Sequence, residues 1–369
     1  MAKLNVGLLF GGRSVEHEVS VTSATSIFDA LDPARYRVSL IAVDPEGRWH
    51  LGAPDRPPAS ALDGPEVLLA ATPNGGSLLP VGSDPLPENS GLDVILPIVH
   101  GHGGEDGTLQ GLLELAQIPY VGSGVLSSAI QMDKDVSKQL LAAAGLPVVP
   151  WRVLRGAELA ARPLKPSHEV LDGIDLPVFV KPANSGSSVG TSKVTRAEDL
   201  PGAIEDAARY DSKVMIEEAI DAREIEVAVL GDEDATASLP GEILTGNTFY
   251  DYQAKYVENS TQLAIPATLS EKQTRRLQEM AIAAFRVLEG EGMARVDFLL
   301  DRHSDAIYIN ELNSLPGFTE VSMFPRLWAS SGLAYPALLD RLIELAIERH
   351  ARRARLETRF RGGSGIGVS

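Results

Sequence analysis

The sequence predicts an α/β protein whose first domain is an open sheet with parallel strands. Three observations carry that prediction. Residues 4–10, LNVGLLF, form a short apolar run that stops at Gly11-Gly12, which suits a buried parallel strand in length and flanks. VTSATSIFDALD then reads as a helix and RVSLIAVD as a second strand, the order that begins an open α/β domain. At 369 residues the chain exceeds a single simple core, so two or three domains are expected.

Residues 45–90 hold nine of the 24 prolines and little periodicity, so they are expected to be an insertion of loops and short edge pieces. DVILPIVHG returns to buried strand. DGTLQGLLELA is a helix with Asp106 as its expected N-cap, and IPYVGSG closes the first domain near residue 122. Helices follow around SSAIQMDKD and SKQLLAAAG, the second stopped by Gly145 and Pro147. LPVFVKPANSGSSVGTSKV reads as strand, glycine–serine loop and strand. KVMIEEAI and EIEVAVLG are further strands whose alternation predicts one wet face. TRRLQEMAIAAFRVLE is a long amphipathic helix, ARVDFLLD and AIYINELN are strands, and YPALLDRLIELAIERHARRAR is a closing helix. No internal repeat is present, and the tail RGGSGIGVS is expected to be disordered.

Composition narrows the function. The chain is 44% hydrophobic and 22% charged, which argues against disorder. A net charge of −17 disfavours a nucleic-acid surface, which needs clustered cations, but leaves room for one basic pocket. With no cysteine there is neither a disulfide nor a thiolate metal site. The apolar run of MAKLNVGLLFGG is too short for a signal peptide and no stretch approaches a membrane span, so a cytoplasmic protein without membrane contact is expected.

Three segments carry chemistry. In KPANSGSSVGTSK a strand delivers Lys181 to a loop of small residues, where backbone N–H groups and hydroxyls can approach phosphate oxygens; a plain hairpin tip is the competing reading. In RVDFLLDRHSDAIYINELN, Glu311 and Asn313 are two apart and so share a face, and folding back about DRHSDA sets Asp297 nearly opposite them. Two carboxylates and an amide oxygen suit a hard cation such as Mg²⁺, which commonly shares its coordination with nucleotide phosphates. Val296, Phe298, Tyr308 and Leu312 are expected on the other, apolar face. Finally, FYDYQAKY places four aromatics in eight positions of a chain that is 5% aromatic, inside an otherwise polar, loop-like stretch.

Together these segments resemble a known family. KPANSGSSVG, MIEEAI with Glu224 seven residues beyond Glu217, and RVDFLL…INELNSLPG resemble the ATP-grasp fold. GGRSVEHEVS, HGHGGEDGTLQG, YVGSG, MDK and FYDYQAKY resemble the D-alanine–D-alanine ligase family in particular, in the family's order, from about residue 4 to about residue 350. The resemblance implies a Rossmann-like substrate domain at 1–122 carrying the proline-rich insertion, a central ATP-grasp subdomain at 123–219, a C-terminal subdomain at 220–358 and a tail at 359–369. It also implies the reaction: ATP phosphorylates the carboxylate of one D-alanine, and the amine of a second attacks the acyl phosphate to give a dipeptide for peptidoglycan precursors.

Residue roles follow from the same resemblance. Lys134, Lys181 and Ser188 are expected at the ATP phosphates, Glu217 at the adenine and Glu224 at the ribose. Asp297, Glu311 and Asn313 are expected to hold two Mg²⁺ ions, with Mn²⁺ as an alternative. Glu16 would bind the ammonium of the first D-alanine with support from His100, although a helix N-terminus also favours an acid and a strand end a structural histidine. Arg295 and the Gly317 N–H would stabilise the tetrahedral oxyanion, and Ser322 and Met323 would bind the second D-alanine. Ser187 and Tyr256 would join Glu16 in orienting the amine. FYDYQAKY would be a lid in which Phe249 covers the nucleotide and Lys255 reaches the phosphates. The family also implies a homodimer. Rival readings are a ligase joining D-alanine to D-lactate or D-serine, which AKY disfavours, and a silent ATP-binding module, which would show damaged lysine or metal positions. A dinucleotide enzyme would need G-x-G-x-x-G after the first strand, and GGRSVEHE lacks that spacing.

Overall fold

The computed structural model describes residues 3–53, 56–72, 76–82, 91–160, 167–244 and 262–357. The aromatic segment with Phe249, Lys255 and Tyr256, and the glycine-rich tail, lie outside the described residues.

Strand β1 (Leu4–Gly11) pairs in parallel with β2 (Tyr36–Val43) and with β6 (Val94–Ile98), and α1 (His17–Ala30) makes the crossover from β1 to β2. The turn after β1 demands glycine. Gly11 and Gly12 have φ of +90° and +111°, and a Cβ on Gly11 would lie 2.2 Å from the Val43 carbonyl oxygen. Gly12 N–H donates to that same carbonyl at 2.8 Å, so the chain leaves the sheet at once and α1 starts directly above it. The proline-rich region continues this sheet as short antiparallel strands β3 (Trp49–Leu51), β4 (Glu66–Leu69) and β5 (Leu78–Pro80), with a 3₁₀ turn at Pro58–Asp63. The expected edge pieces are therefore real, and the sheet order is β5-β4-β3-β2-β1-β6.

After β6, helix α2 (Thr108–Leu115) begins from Gly107 rather than from Asp106. Gly107 has φ of +89°, and the Asp106 carboxylate instead accepts from Gly103 N–H at 2.8 Å and Thr108 N–H at 3.0 Å, pinning the preceding loop. Helices α3 (Val125–Met132) and α4 (Lys134–Ala143) follow. Asp133 caps α4 by accepting from Val136 N–H, and Gly145 at φ +77° ends it as expected.

The central sheet is antiparallel throughout, in the order β7 (Trp151–Arg155), β10 (Lys213–Glu218), β8 (Val178–Pro182), β9 (Ser192–Val194). Helices α5 (Ala157–Ala160) and α6 (Ser167–Leu171) follow β7, and α7 (Leu200–Ala207) packs on β8 over a separate core that includes Val178, Val180, Ile204 and Val214. The third sheet joins β14 (Gln262–Ala264), β13 (Gly241–Leu244), β11 (Ala222–Gly231), β15 (Gly292–Asp301) and β16 (Ile307–Asn313), with β12 (Thr236–Ala237) beside β11.

The wet face expected for the Glu217 and Glu224 strands is absent over most of their length. In β11, residues 225–231 are all buried. Ile225, Val227 and Val229 pack under α8 (Glu271–Val287), while Ala228 and Leu230 join a core built with α9 (Met323–Ser330) and α10 (Tyr335–Arg353). Alternation failed as a guide because helices cover both sides of the sheet. Helix α8 starts with a reciprocal cap, in which the Ser270 hydroxyl accepts from Gln273 N–H and the Gln273 amide oxygen accepts from Ser270 N–H.

The first and third sheets share one apolar core, running from Leu8 and Ile27 to Phe318, Leu338 and Ile343. At its margin, Arg349 on α10 is 4% exposed. Its guanidinium donates to the Gly122 carbonyl and, at 2.8 Å, to the Tyr120 carbonyl, and lies 4.5 Å from the centre of the Tyr120 ring. Arg349→Met would leave both carbonyls without this donor inside the protein. The expected loss of stability is about 2–4 kcal/mol, measured by urea unfolding at neutral pH. A midpoint equal to that of the parent would show that the arginine does not fasten the closing helix.

Candidate active-site cleft

A cleft of about 780 Å³ is bordered by strands of the central and third sheets and by loops that follow β1 and β6 of the first. It contains most of the residues predicted to act: Glu16, His100, Lys134, Lys181, Ser187, Ser188, Glu217, Glu224, Arg295, Glu311, Asn313 and Gly317 all line it. Asp297, Ser322 and Met323 stand just behind its wall, as described below.

The β15–β16 hairpin places Asp297 directly across from Glu311, as expected. A bulge at Asn310 then shifts the register, so Phe298 faces Ile309 and Leu299 faces Tyr308. Tyr308 therefore falls on the face of Asp297, and Ile309 takes the apolar place predicted for it. Arg295 grips Asp297 with two hydrogen bonds of 2.7 Å and meets Glu226 at 3.0 Å. Burial opposes the arginine's charge, but Asp297 and Glu226 raise its pKa well above the ordinary value. The Asn313 amide donates to Asp297 at 2.9 Å, fixing the hairpin's polar face. Among the described residues no group of three or more His, Asp or Glu side chains converges for a metal. What the hairpin offers is two carboxylates and one amide oxygen, a hard-oxygen set that fits Mg²⁺.

Lys134, the first residue of α4, joins the glycine–serine loop to β16. Its ammonium donates to the Ser185 carbonyl at 2.7 Å and lies 3.2 Å from Glu311. One turn along the same helix stands Lys138, which is 1% exposed and pairs with Glu217. The other Glu217 oxygen holds Lys181 at 2.5 Å. Burial would raise the Glu217 pKa, yet the two lysines bring it below the ordinary carboxylate value; burial conversely lowers that of Lys138. The glycine–serine loop departs from ordinary backbone where it meets the cleft, since Ser187 and Ser188 have φ of +48° and +58°.

Glu16 is the N-cap residue of α1, but its side chain does not cap the helix. Its carboxylate, in a residue 8% exposed, accepts from the Ser187 hydroxyl. Two glycines make room for it: a Cβ on Gly101 or Gly186 would sit 2.8 or 3.0 Å from a Glu16 oxygen. His100 is buried, with Nδ1 3.1 Å from the Leu315 carbonyl and 3.9 Å from Glu105, while Nε2 has no hydrogen-bond partner among the described residues. Burial lowers the His100 pKa, but Glu105 and Glu16 more than offset this and raise it; burial raises that of Glu105 despite the histidine.

Gly317 lies on a loop tied down by Phe318, whose N–H and carbonyl bond to the Ser23 and Tyr335 hydroxyls. The Ser322 hydroxyl bonds Thr319 and stands close enough to Gly317 that a Cβ there would meet it at 3.0 Å. The Met323 side chain does not face the cleft: it is buried in the shared core with its sulfur near Gly241, so only its backbone is at hand for a ligand. Sequence reasoning missed Glu105, Glu226 and Lys138. Lys138 had a signal, its spacing of one helical turn from Lys134, and Glu105 lay within the glycine-rich HGHGGEDG.

Family models described as "D-ala D-ala ligase N-terminus" and "D-ala D-ala ligase C-terminus" match residues 5–123 and 140–344. The D-alanine–D-alanine ligase of Heliobacterium modesticaldum is 47% identical over 371 residues, covering 97% of this chain and 98% of the relative. The solved D-alanine–D-alanine ligase of Coxiella burnetii is 39% identical, with a TM-score of 0.84 over 96% of this chain and 97% of that one. The VanG D-Ala:D-Ser ligase of Enterococcus faecalis is 31% identical, with a TM-score of 0.82 over 94% of this chain and 100% of that one.

The close approach at Gly101 gives a direct test of how Glu16 is seated. Gly101 has φ of +77°. Gly101→Ala would meet both backbone strain and the Glu16 carboxylate, at about 1–2 kcal/mol of stability. Thermal unfolding should therefore shift downward by a few degrees. An unshifted transition would show that the loop gives way freely and does not position Glu16.

Proposed function

The chain belongs to the D-alanine–D-alanine ligase family, and on that premise we propose how its cleft performs the ATP-dependent joining of two D-alanine molecules. The reaction builds the dipeptide of peptidoglycan precursors, and the ATP-grasp fold houses it. The observation that carries the site reading is Lys134, which touches both the glycine–serine loop and Glu311. It makes one phosphate-sized region out of two distant segments.

In this reading Lys134 and Lys181 counter the phosphate charge, and the loop at Ser187 and Ser188 contributes backbone and hydroxyl donors. Asp297, Glu311 and Asn313 would hold the two Mg²⁺ ions, or Mn²⁺, which supply charge neutralisation at the transferring phosphoryl group. Glu16, beside the Ser187 hydroxyl and close to His100 and Gly101, binds the ammonium of the first D-alanine. That leaves its carboxylate directed toward phosphoryl transfer. Arg295, its guanidinium held by Asp297 and Glu226, stabilises the oxyanion together with the Gly317 N–H. Ser322 and Met323 begin α9, where first-turn N–H groups lack partners within the helix, and this suits the carboxylate of the second D-alanine.

The separate core of the central sheet, from Leu154 to Ile216, supports a unit within 123–219, and the division at 1–122 and 220–358 is otherwise the family's. No described helix is long and apolar enough to cross a membrane. A homodimer in the cytoplasm, where ATP is at hand, fits the family. Ligation to D-lactate or D-serine is not favoured, because relatives of higher identity than the D-Ala:D-Ser ligase bear the dipeptide enzyme's name.

Phosphate release from ATP should require D-alanine and fail with L-alanine or D-lactate as sole acceptor; equal release with all three would sink this reading. Glu311→Gln should remove about two orders of magnitude or more of D-alanine-dependent turnover with the fold intact, an effect of several kcal/mol. Turnover near that of the parent at saturating Mg²⁺ would mean that Glu311 is not a metal ligand.

A further inference from the structure

Two buried lysines share one buried carboxylate. Lys138 Nζ meets one oxygen of Glu217 and Lys181 Nζ meets the other at 2.5 Å. Glu217 is 3% exposed and Lys138 1%, so neither can exchange its partner for water. The two cations are not equivalent. Lys181 leads into the glycine–serine loop and lines the cleft, whereas Lys138 sits behind the wall on α4 and is absent from the lining.

We propose that Lys138 is the permanent counter-ion of Glu217, a positioning residue that releases Lys181 to the nucleotide and keeps Glu217 an anionic acceptor for the base. The proposal rests on the nucleotide reading of the cleft given above. When a triphosphate enters, Lys181 gains a stronger partner and leaves its Glu217 oxygen. That oxygen is then open to an N–H donor at position 6 of a purine. Without Lys138, the carboxylate would be buried with Lys181 as its only cation, and the lysine could not leave without stranding a charge. Two consequences follow from the same removal. Lys181 stays on Glu217, which weakens phosphate binding. Where it does leave, Glu217 takes up a proton, and a protonated carboxyl can donate to a 6-oxo purine that the anion repels.

The spacing agrees with this division of labour. Lys134 and Lys138 are one helical turn apart on α4 and so share a face. The first reaches Ser185 and Glu311 at the phosphate end, and the second reaches Glu217 on β10. One helix thus supplies a cation to each end of the nucleotide. Its own start is fastened to the central sheet, because Lys213 on β10 holds Asp133 at 2.5 Å and Asp135 at 3.2 Å.

The test compares kcat and KM for ATP and for inosine triphosphate, whose base has a 6-oxo group, in the full-length enzyme. Lys138→Met should raise the KM for ATP and reduce the ATP preference in kcat/KM by roughly tenfold or more, with much smaller change in the KM for D-alanine. Lys138→Arg should keep most of the preference. Should Lys138→Met not fold, the same ratio in Lys138→Gln decides. A folded variant with the parent's ATP preference overturns the proposal. Glu217→Gln separates the two levels of inference. If it loses base preference and the Lys138 variants do not, only the role of Lys138 fails. If it too keeps the preference, Glu217 does not read the base and the nucleotide reading of this end of the cleft fails with it.

Discussion

Glu217, Glu311, Lys181 and Arg295 in the cleft are each held by an opposite charge, and this constraint explains much of the architecture around them. A carboxylate or ammonium withdrawn from water loses several kcal/mol of solvation unless a partner and hydrogen bonds replace it. Apart from Arg295 and Asp297, which share β15, these pairs join different elements. Glu217 on β10 is neutralised from α4 and β8 and Glu311 on β16 from α4, while Glu16 at the start of α1 accepts from a hydroxyl of the glycine–serine loop. Each pair ties two parts of the chain that are distant in sequence. The same contacts that make the site tolerable in the absence of ligand therefore hold its walls in register.

The pairs differ in what they permit. Arg295 is bound to Asp297 by two parallel hydrogen bonds and to Glu226 besides, within one sheet, and this fork has no simple reason to open. Lys134 meets Glu311 on β16 and Lys181 meets Glu217 on the neighbouring strand, each through a flexible ammonium group that can turn to a new anion. Rigid and exchangeable contacts are thus sorted by residue type. Arginine, with its planar fork, holds the frame, and the lysines make the contacts that a new anion could take over, which suits the roles proposed for them.

Much of this was legible in the sequence, and the exceptions have physical causes. The facing of Asp297 and Glu311 followed from strand alternation and a turn, because a hairpin is a local structure. The bulge at Asn310 was not legible, since an extra residue in a strand leaves no mark on composition, and it moved Tyr308 to the opposite face. The burial of β11 on both sides depended on α8 and on α9 with α10, elements 40 to 120 positions further along, which alternation within one strand cannot register. The sequence reading gave no helix at α9. Its eight residues include Pro325, which is tolerated because it lies in the first turn, where its missing N–H has no partner to lose.

Site residues divide in the same way. Those carried by compact motifs, such as Glu16 after Gly11-Gly12 or Lys181 before the glycine–serine loop, line the cleft because motif and position coincide. Met323 turns its side chain into the core, as the residue after an N-cap can do while its N–H still faces out. Lys138 was passed over because, in a helix reading SKQLLAAAG, one lysine looks like an ordinary solvated residue. Its burial is created by β10 and by Glu217, some eighty residues later. A lysine that the fold removes from water must find an anion there, and an anion so held can no longer be neutralised by solvent. That reciprocity makes a buried ion pair a statement about function: the carboxylate is kept charged whether or not the nearer lysine stays.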